Sequence, residues 1–257
     1  MIHCNNSNGS RAGWARGFMA LIAALAMGLA SMASPAAAAP FAYVTNEFSN
    51  SVSVIDTATN TVVGAPIAVG SHPIAVAGTP DGKHVYVTNG VSNTVSVIDT
   101  ATNTVVGTPI PVGSGPQSVA VTPDGTHAYV GNTGSGNVSV IATATNTVAA
   151  TIPVGGMLQG VAFTPDGKYA YVTRFSGTNN VSVIATASNT VVATVSAGKD
   201  PNGVAANPDG KHVYVANVDS GNVSVIATAT NTVVATVAVA AGAPGGRRYT
   251  GRETRMS

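Results

Sequence analysis

Few side chains of this 257-residue chain have the chemistry of a catalytic or metal-binding group, since it holds five histidines, ten carboxylates and one cysteine. Three of the histidines stand two residues after the glycine of a Pro-Asp-Gly motif, namely His84, His127 and His212. A position shared in this way indicates a structural role. His72 is the only other histidine after residue 40.

Acid–base and metal chemistry need several ionisable groups that converge on one place. Glu47 is the only glutamate between residues 41 and 246, so no pair of glutamates is available there. The remaining candidates lie far apart in the chain: Glu47, His72, Asp200 and Asp219. Neither a phosphate-binding loop nor a dinucleotide fingerprint is present. The sequence therefore predicts no catalytic residue, no metal ligand and no cofactor.

The charge distribution argues against a nucleic-acid partner. Residues 41–246 contain five basic and nine acidic side chains, a net charge of 5 − 9 = −4. Nucleic-acid binding requires a basic surface, which this segment lacks. The single cysteine, Cys4, precedes this segment, so no disulfide framework is predicted.

Residues 1–39 have the composition of a cleavable secretory signal. Arg11 and Arg16 precede an apolar run over residues 17–30, and Ala37-Ala38-Ala39 matches a small-residue cleavage site. The alternative is a membrane anchor, but a spanning helix needs roughly 20 apolar residues. We expect cleavage after Ala39 and a mature protein without a transmembrane anchor, which is secreted, periplasmic or at the cell surface.

The rest of the chain is built from one repeated unit. Five tyrosines recur at intervals of 43, 43, 42 and 43 residues: Tyr43, Tyr86, Tyr129, Tyr171 and Tyr214. Pro-Asp-Gly and the run VSVIDTATNTVV, or a close variant, recur in the same order. A period of about 40–45 residues with four strands per unit is typical of propeller blades.

One unit can be divided into four short strands, which we call A to D. Residues 116–122 alternate as strand A, a Pro-Asp-Gly turn follows, and residues 127–132 form strand B. Residues 137–142 form strand C and residues 147–154 form strand D. The predicted fold is all-β: a propeller of four-stranded antiparallel blades in five units of about 43 residues.

These repeated motifs resemble those of the YVTN family of β-propeller repeat proteins. The resemblance rests on YVTN and YVAN, TPDGK and VSVIDTATNTVV, and covers residues 41 to about 240. It implies an exported protein related to a broad propeller group that includes lactonases and lyases. The family name implies a fold and no single activity.

The two ends of the repeat region depart from the pattern. The first unit begins with strand B at Phe41. The repeat region, residues 40–241, is followed by GAPGGRRYTGRETRMS. We expect residues 242–257 to be a disordered basic tail. Alternatively the tail is a frameshifted sixth repeat, since a one-nucleotide shift permits AVTPDGKHVC. The expected ring is incomplete or truncated, with self-association through exposed blade edges.

Binding is expected on one face of the propeller. The Pro-Asp-Gly and TATNT turns share one face, and the variable B–C and D–A loops share the other. Variable loops on a regular scaffold commonly carry binding. The candidate ligand-binding residues are His72, Gln117, Gln159, Arg174, Lys199 and Asp200. The predicted function is a non-catalytic scaffold for a protein, glycan or small ligand, and the alternative is a hydrolase or lyase of the lactonase type.

Overall fold

The computed structural model describes residues 41–175 and 179–239, and the chain is all-β there, with 21 strands and one 3-10 turn at Glu47–Ser49. This confirms the predicted fold class. The signal sequence predicted for residues 1–39 and the tail predicted for residues 242–257 lie outside the described residues. None of the described residues belongs to a helix long and apolar enough to cross a membrane.

The strands form five successive antiparallel sheets, which we call blades 1 to 5. Blade 1 contains β1 (Phe41–Asn46), β2 (Ser51–Asp56), β3 (Thr61–Val62) and β4 (Ile67–Ala68). Blade 2 contains β5 (Pro73–Gly78), β6 (His84–Asn89), β7 (Thr94–Asp99), β8 (Thr104–Val105) and β9 (Ile110–Pro111). Blade 3 contains β10 (Pro116–Val121), β11 (His127–Asn132), β12 (Asn137–Ala142) and β13 (Thr147–Pro153). Blade 4 contains β14 (Met157–Phe163), β15 (Tyr169–Phe175), β16 (Asn180–Ala185) and β17 (Thr190–Ser196). Blade 5 contains β18 (Pro201–Ala206), β19 (His212–Asn217), β20 (Asn222–Ala227) and β21 (Thr232–Ala238).

Strand D is interrupted in the first two blades. There β3 with β4, and β8 with β9, pair with the same strand C. Gly64 and Gly107, at φ +66° and +69°, each stand two residues before a proline that has no N–H for the ladder. Blade 2 therefore has the predicted four rows, whereas the described residues of blade 1 supply rows B, C and D.

The Pro-Asp-Gly turns are held by their own aspartates. In blade 2, Asp81 Oδ1 accepts hydrogen bonds from Thr79 Oγ1 at 2.6 Å and from the backbone N–H of Lys83 at 3.1 Å. These bonds stabilise the carboxylate, the Thr79 hydroxyl most strongly, and so lower the pKa of Asp81. Gly82 follows at φ +72°, a conformation that glycine adopts without steric cost.

The hydrophobic core lies between blades rather than inside any one of them. In blade 3 the leading face, meaning the face toward the next blade in the chain, contains Tyr129, Val138, Val140 and Ile152. It packs on the trailing face of blade 4, which contains Leu158, Ala170, Val172 and Ile184. Because strand C is apolar on both sides, each blade needs a neighbour on each side.

A tyrosine–asparagine hydrogen bond ties each blade to the next. Tyr86 OH donates to Asn146 Oδ1 at 2.6 Å, and the two residues are 60 positions apart. The same spacing joins Tyr43 to Asn103, Tyr129 to Asn189 and Tyr171 to Asn231. The acceptor residues all lie in the turn between strands C and D, in the left-handed region at φ +53°. This bond recurs at every junction between the five blades.

We expect loss of one such hydroxyl to weaken the blade junction. Tyr86→Phe leaves the Asn146 acceptor without its donor, so the free energy of unfolding should fall by about 0.5–1.5 kcal/mol. Tyr169→Phe is the matched control, because no described residue accepts a hydrogen bond from the Tyr169 hydroxyl. Chemical denaturation measures the free energy of unfolding of both variants. An equal decrease in the two would contradict a stabilising role for the Tyr86 hydrogen bond.

Alkaline pH should destabilise the fold through the same tyrosines. Burial raises the pKa of Tyr43, Tyr86, Tyr129 and Tyr171 from 10.0 to about 12. Between these two values the unfolded chain binds fewer protons than the folded chain, so stability falls as pH rises through this window. Below pH 10 these tyrosines should contribute no pH dependence. Denaturation midpoints together with tyrosinate absorbance across the range would test this, and a midpoint constant up to pH 12 would contradict it.

Candidate functional site

The B–C and D–A loops meet at one edge of the blades, which we call the loop face. The backbone N–H of Gly90, in the B–C loop of blade 2, donates to His72 O in the preceding D–A loop at 2.7 Å. Thr133 N–H donates to Gly115 O, and Val218 N–H to Asp200 O, in the same relation. Backbone hydrogen bonds therefore hold this face in a defined shape.

His72 is brought against Glu47 and Phe48 on the loop face. Its Nε2 lies 3.4 Å from Glu47 Oε1, and its ring contacts the Phe48 ring edge-on with centroids 5.6 Å apart. The expectation that Glu47 and His72 do not converge, which followed from their separation in the chain, was wrong. The two loops are 24 residues or more apart in sequence but adjacent in space, because the D–A crossing passes beside the B–C loop of the same blade.

The backbone of His72 is fixed in an unusual conformation. Its φ is +58°, and its N–H donates to Asn50 Oδ1 at 2.9 Å. The equivalent residue in the next crossing is Gly115, at φ +62°, whose N–H donates to Asn93 Oδ1 at 2.8 Å. Glycine adopts this region freely, whereas a residue with a Cβ is strained there. A histidine thus occupies a position at which glycine would be unstrained.

Asp200 repeats this arrangement at the crossing into blade 5. Its φ is +54°, and its N–H donates to Asn179 Oδ1 at 3.2 Å. The neighbouring Lys199 N–H donates to Ser220 Oγ at 2.6 Å. Lys199 and Asp200 therefore lie on the loop face, as their place in the D–A loop predicts.

Three of the candidate residues lie in strands. Gln117 falls in strand A as predicted, whereas Gln159 and Arg174, which were assigned to variable loops, lie in strands instead. Gln117 belongs to β10 and Gln159 to β14, each where the ladder between strands A and B shifts register. A bulge of this kind bends the strand locally and changes the direction of its side chains. Arg174 belongs to β15, and its Nε donates to Gly155 O at 2.9 Å, so it braces the neighbouring crossing.

Two residues of this cluster were missed from the list of candidate binding residues. Phe48 is 89% exposed, although large aromatic side chains are few in this chain. Asn50 was overlooked because its role depends on a hydrogen bond to another loop. Its recurrence 43 residues later as Asn93 was a signal that the repeat alignment contained.

Two pockets lie between blades, and neither is lined by Glu47, Phe48 or His72. One, of about 260 Å³, lies between blades 3 and 4 on the face of the Pro-Asp-Gly and TATNT turns, which we call the turn face. It is lined by Asp124, His127, Tyr129, Asp166 and Asn189 among others. The other, of about 300 Å³, lies beside the outer strands of blades 2 and 3 and borders the loop face at Gly113 and Asn137. Among residues 41–175 and 179–239, no three histidine, cysteine or carboxylate side chains group as metal ligands. The cluster at His72 is thus an open surface feature.

Comparison with known proteins agrees with this architecture. The family model of the YNCE-like β-propeller matches residues 11–110 and 67–171. The chain belongs to the YNCE-like β-propeller family. Hydrazine synthase of Kuenenia stuttgartiensis is a similar solved structure, with 30% identity and a TM-score of 0.67 over 73% of this chain and 60% of that chain. This YNCE-like chain thus spans 60% of the length of the chain it matches. No curated protein matches it.

A second family model, the cytochrome D1 heme domain, matches residues 133–257. His212 is the only histidine of that stretch, and it begins β19 at the turn face. Met157, another side chain able to bind haem iron, begins β14 on the loop face. The two lie at opposite ends of the blades, and neither lines a pocket described above. The described residues of this stretch therefore do not bring His212 and Met157 to one haem site.

Replacing His72 by glycine should leave the fold intact. The change relieves a positive φ and removes the exposed contact with Glu47, which contributes at most about 1 kcal/mol. We expect the free energy of unfolding of His72→Gly to stay within about 1 kcal/mol of the parent. Chemical denaturation checks this, and a loss above about 3 kcal/mol, typical of a damaged core, would show that the ring is structural.

Proposed function

We propose that this propeller is an exported, non-catalytic scaffold that binds a macromolecular partner through its loop face. The observation that carries the proposal is the cluster of Glu47, Phe48 and His72. An aromatic ring lies almost fully in solvent there, beside an acidic and an imidazole side chain. The His72 backbone adopts a conformation that glycine would adopt more easily. Strain of this kind is characteristic of functional sites.

The chemistry of the cluster favours a partner that covers it. Burying an exposed aromatic side chain on association is favourable by about 1.5–3 kcal/mol, and such residues are common anchors at interfaces. Glu47 and His72 add a hydrogen-bonding rim around the ring. Because the cluster is open rather than enclosed, a protein or glycan surface suits it better than a small molecule, which needs a concave site.

The alternative is a hydrolase or lyase of the lactonase type. The one observation that favours it is the contact of 3.4 Å between Glu47 Oε1 and His72 Nε2, since a carboxylate can orient an imidazole for proton transfer. Among the described residues, no third ionisable group joins this pair as a metal site. The scaffold remains the better-supported proposal.

The proposed binding can be tested with one matched pair of variants. Phe48→Ala removes the aromatic anchor, and Val91→Ala removes an exposed apolar side chain, 65% exposed, from the same loop of the next blade. A photo-crosslinking residue at position 48 or 91 would capture partners in the source organism, and a glycan array would test sugars. Binding should weaken more than about 10-fold in Phe48→Ala and stay unchanged in Val91→Ala.

Two outcomes would contradict the scaffold proposal. One is a partner whose binding is equally strong in the parent and in Phe48→Ala. The other is turnover of lactones by the purified protein that disappears in His72→Ala. The second outcome would establish the enzymatic alternative.

We further propose that residues 1–39 direct export and are removed after Ala39. The support is compositional: a basic segment, an apolar run and the small residues Ala37-Ala38-Ala39 follow in the order of a secretory signal. Intact-mass analysis of the exported protein should give a chain that begins at Pro40. Exported protein that still contains residues 1–39 would contradict this proposal.

A further inference from the structure

Blade 5 has a leading face that none of the described residues covers. Tyr214 on this face is 41% exposed, whereas the equivalent tyrosines of the other four blades are at most 7% exposed. Val237 is 49% exposed, against 2% for Ile152 and 4% for Val195 at the same place in blades 3 and 4. The leading face of blade 5 consists of Tyr214, Val223, Val225 and Val237. These residues repeat the set with which blade 4 holds blade 5.

The trailing face of blade 1, meaning the face that points away from blade 2, is also left partly exposed by the described residues. Val44 and Ile55 are only partly buried there, whereas Val87 and Ile98 at the same positions of blade 2 are fully buried. The latter two pack in the core between blades 1 and 2. The trailing face of blade 1, made of Ala42, Val44 and Ile55, thus repeats rows B and C of the set that blades 2 to 5 present to the preceding blade, without a row A side chain such as Leu158 of blade 4.

The hydrogen-bonding groups of the two faces are also complementary. Tyr214 has no acceptor for its hydroxyl among the described residues, and no described tyrosine reaches Asn60. Asn60 has φ +56°, the same left-handed conformation as Asn103, which accepts from Tyr43. One free donor and one preformed acceptor therefore remain, at opposite ends of the array.

We propose that the leading face of blade 5 docks on the trailing face of blade 1 of a second copy of this chain, with Tyr214 OH donating to Asn60 Oδ1 of that copy. A second copy is the occupant because its blade 1 offers the row B and row C side chains that every internal junction uses, and because none of the described residues packs on that face of blade 1. All seven apolar and aromatic side chains of the two faces are uncharged, so no ion is buried on contact. The contact is heterologous and head-to-tail.

The proposed interface uses rows B, C and D of the two blades. Val223 and Val225 of row C and Val237 of row D would face Ile55, as Val181, Val183 and Val195 face Ile226 inside the chain. The junction reproduces the packing of rows B, C and D at the internal blade boundaries, to which strand A adds further contacts inside the chain. Because each copy keeps one free face of each kind, copies can add successively or close into a ring.

Sedimentation of the purified full chain over a range of concentrations tests the proposal. Association should be concentration-dependent in the parent and lost in Val237→Asp, which places a charge in the apolar contact. Val192→Asp is the matched control, because Val192 is 52% exposed on strand D of blade 4 but lies outside both faces. A parent that is monomeric at every concentration, or equal loss in both variants, would overturn the proposal.

Mixing two blocked variants tests the direction of docking. Val237→Asp keeps an intact blade 1 face, and Ile55→Asp keeps an intact blade 5 face, so each alone should be monomeric. An equimolar mixture should give heterodimers that do not extend further. A mixture that stays monomeric, or either variant assembling alone, would overturn head-to-tail docking, and circular dichroism of each variant confirms that it is folded.

A milder variant probes the tyrosine hydroxyl. Tyr214→Phe keeps the ring and removes the donor to Asn60 of the second copy. Association should weaken about 2- to 10-fold, the effect of one hydrogen bond. An unchanged dissociation constant would overturn the assigned hydrogen bond.

Discussion

Every sheet of this propeller is apolar on both sides, and the rest of the structure follows from the need to cover both. Val138 and Val140 of strand C pack toward blade 4, while Ile141 of the same strand packs toward blade 2. No single blade could keep such a strand away from water. A single unit is therefore stable only when neighbouring units pack on both of its faces.

Polar groups at the ends of the strands give this apolar packing its register. The buried tyrosine of strand B extends through the core and donates to an asparagine of the next blade. At the other end of strand B, Asn89 and its equivalents bond to the side chains of strand C. Hydrogen bonds are directional, so they fix the register of one blade against the next. Contacts between valines alone would permit several registers.

Regularity on the turn face contrasts with variety on the loop face. The turns repeat nearly unchanged because each one must bring the chain back into the same ladder. The loops carry no such constraint, provided that their backbone hydrogen bonds are kept, as Gly90 to His72 shows. This freedom permits an exposed aromatic residue and a strained histidine on the loop face. Family membership indicates the fold, whereas the function depends on such local features.

The sequence alone determined the repeat period, the strands of each unit and the turns that join them, because these depend on alternation, proline and glycine within a few residues. It also indicated which loops share a face, since antiparallel strands alternate in direction. Only the tertiary structure decided that Glu47 meets His72, that Gln117 and Gln159 lie at bulges, and that Tyr86 bonds to Asn146. Such contacts join residues that are distant in the chain, and their geometry depends on how one blade rotates against the next, which no local pattern encodes.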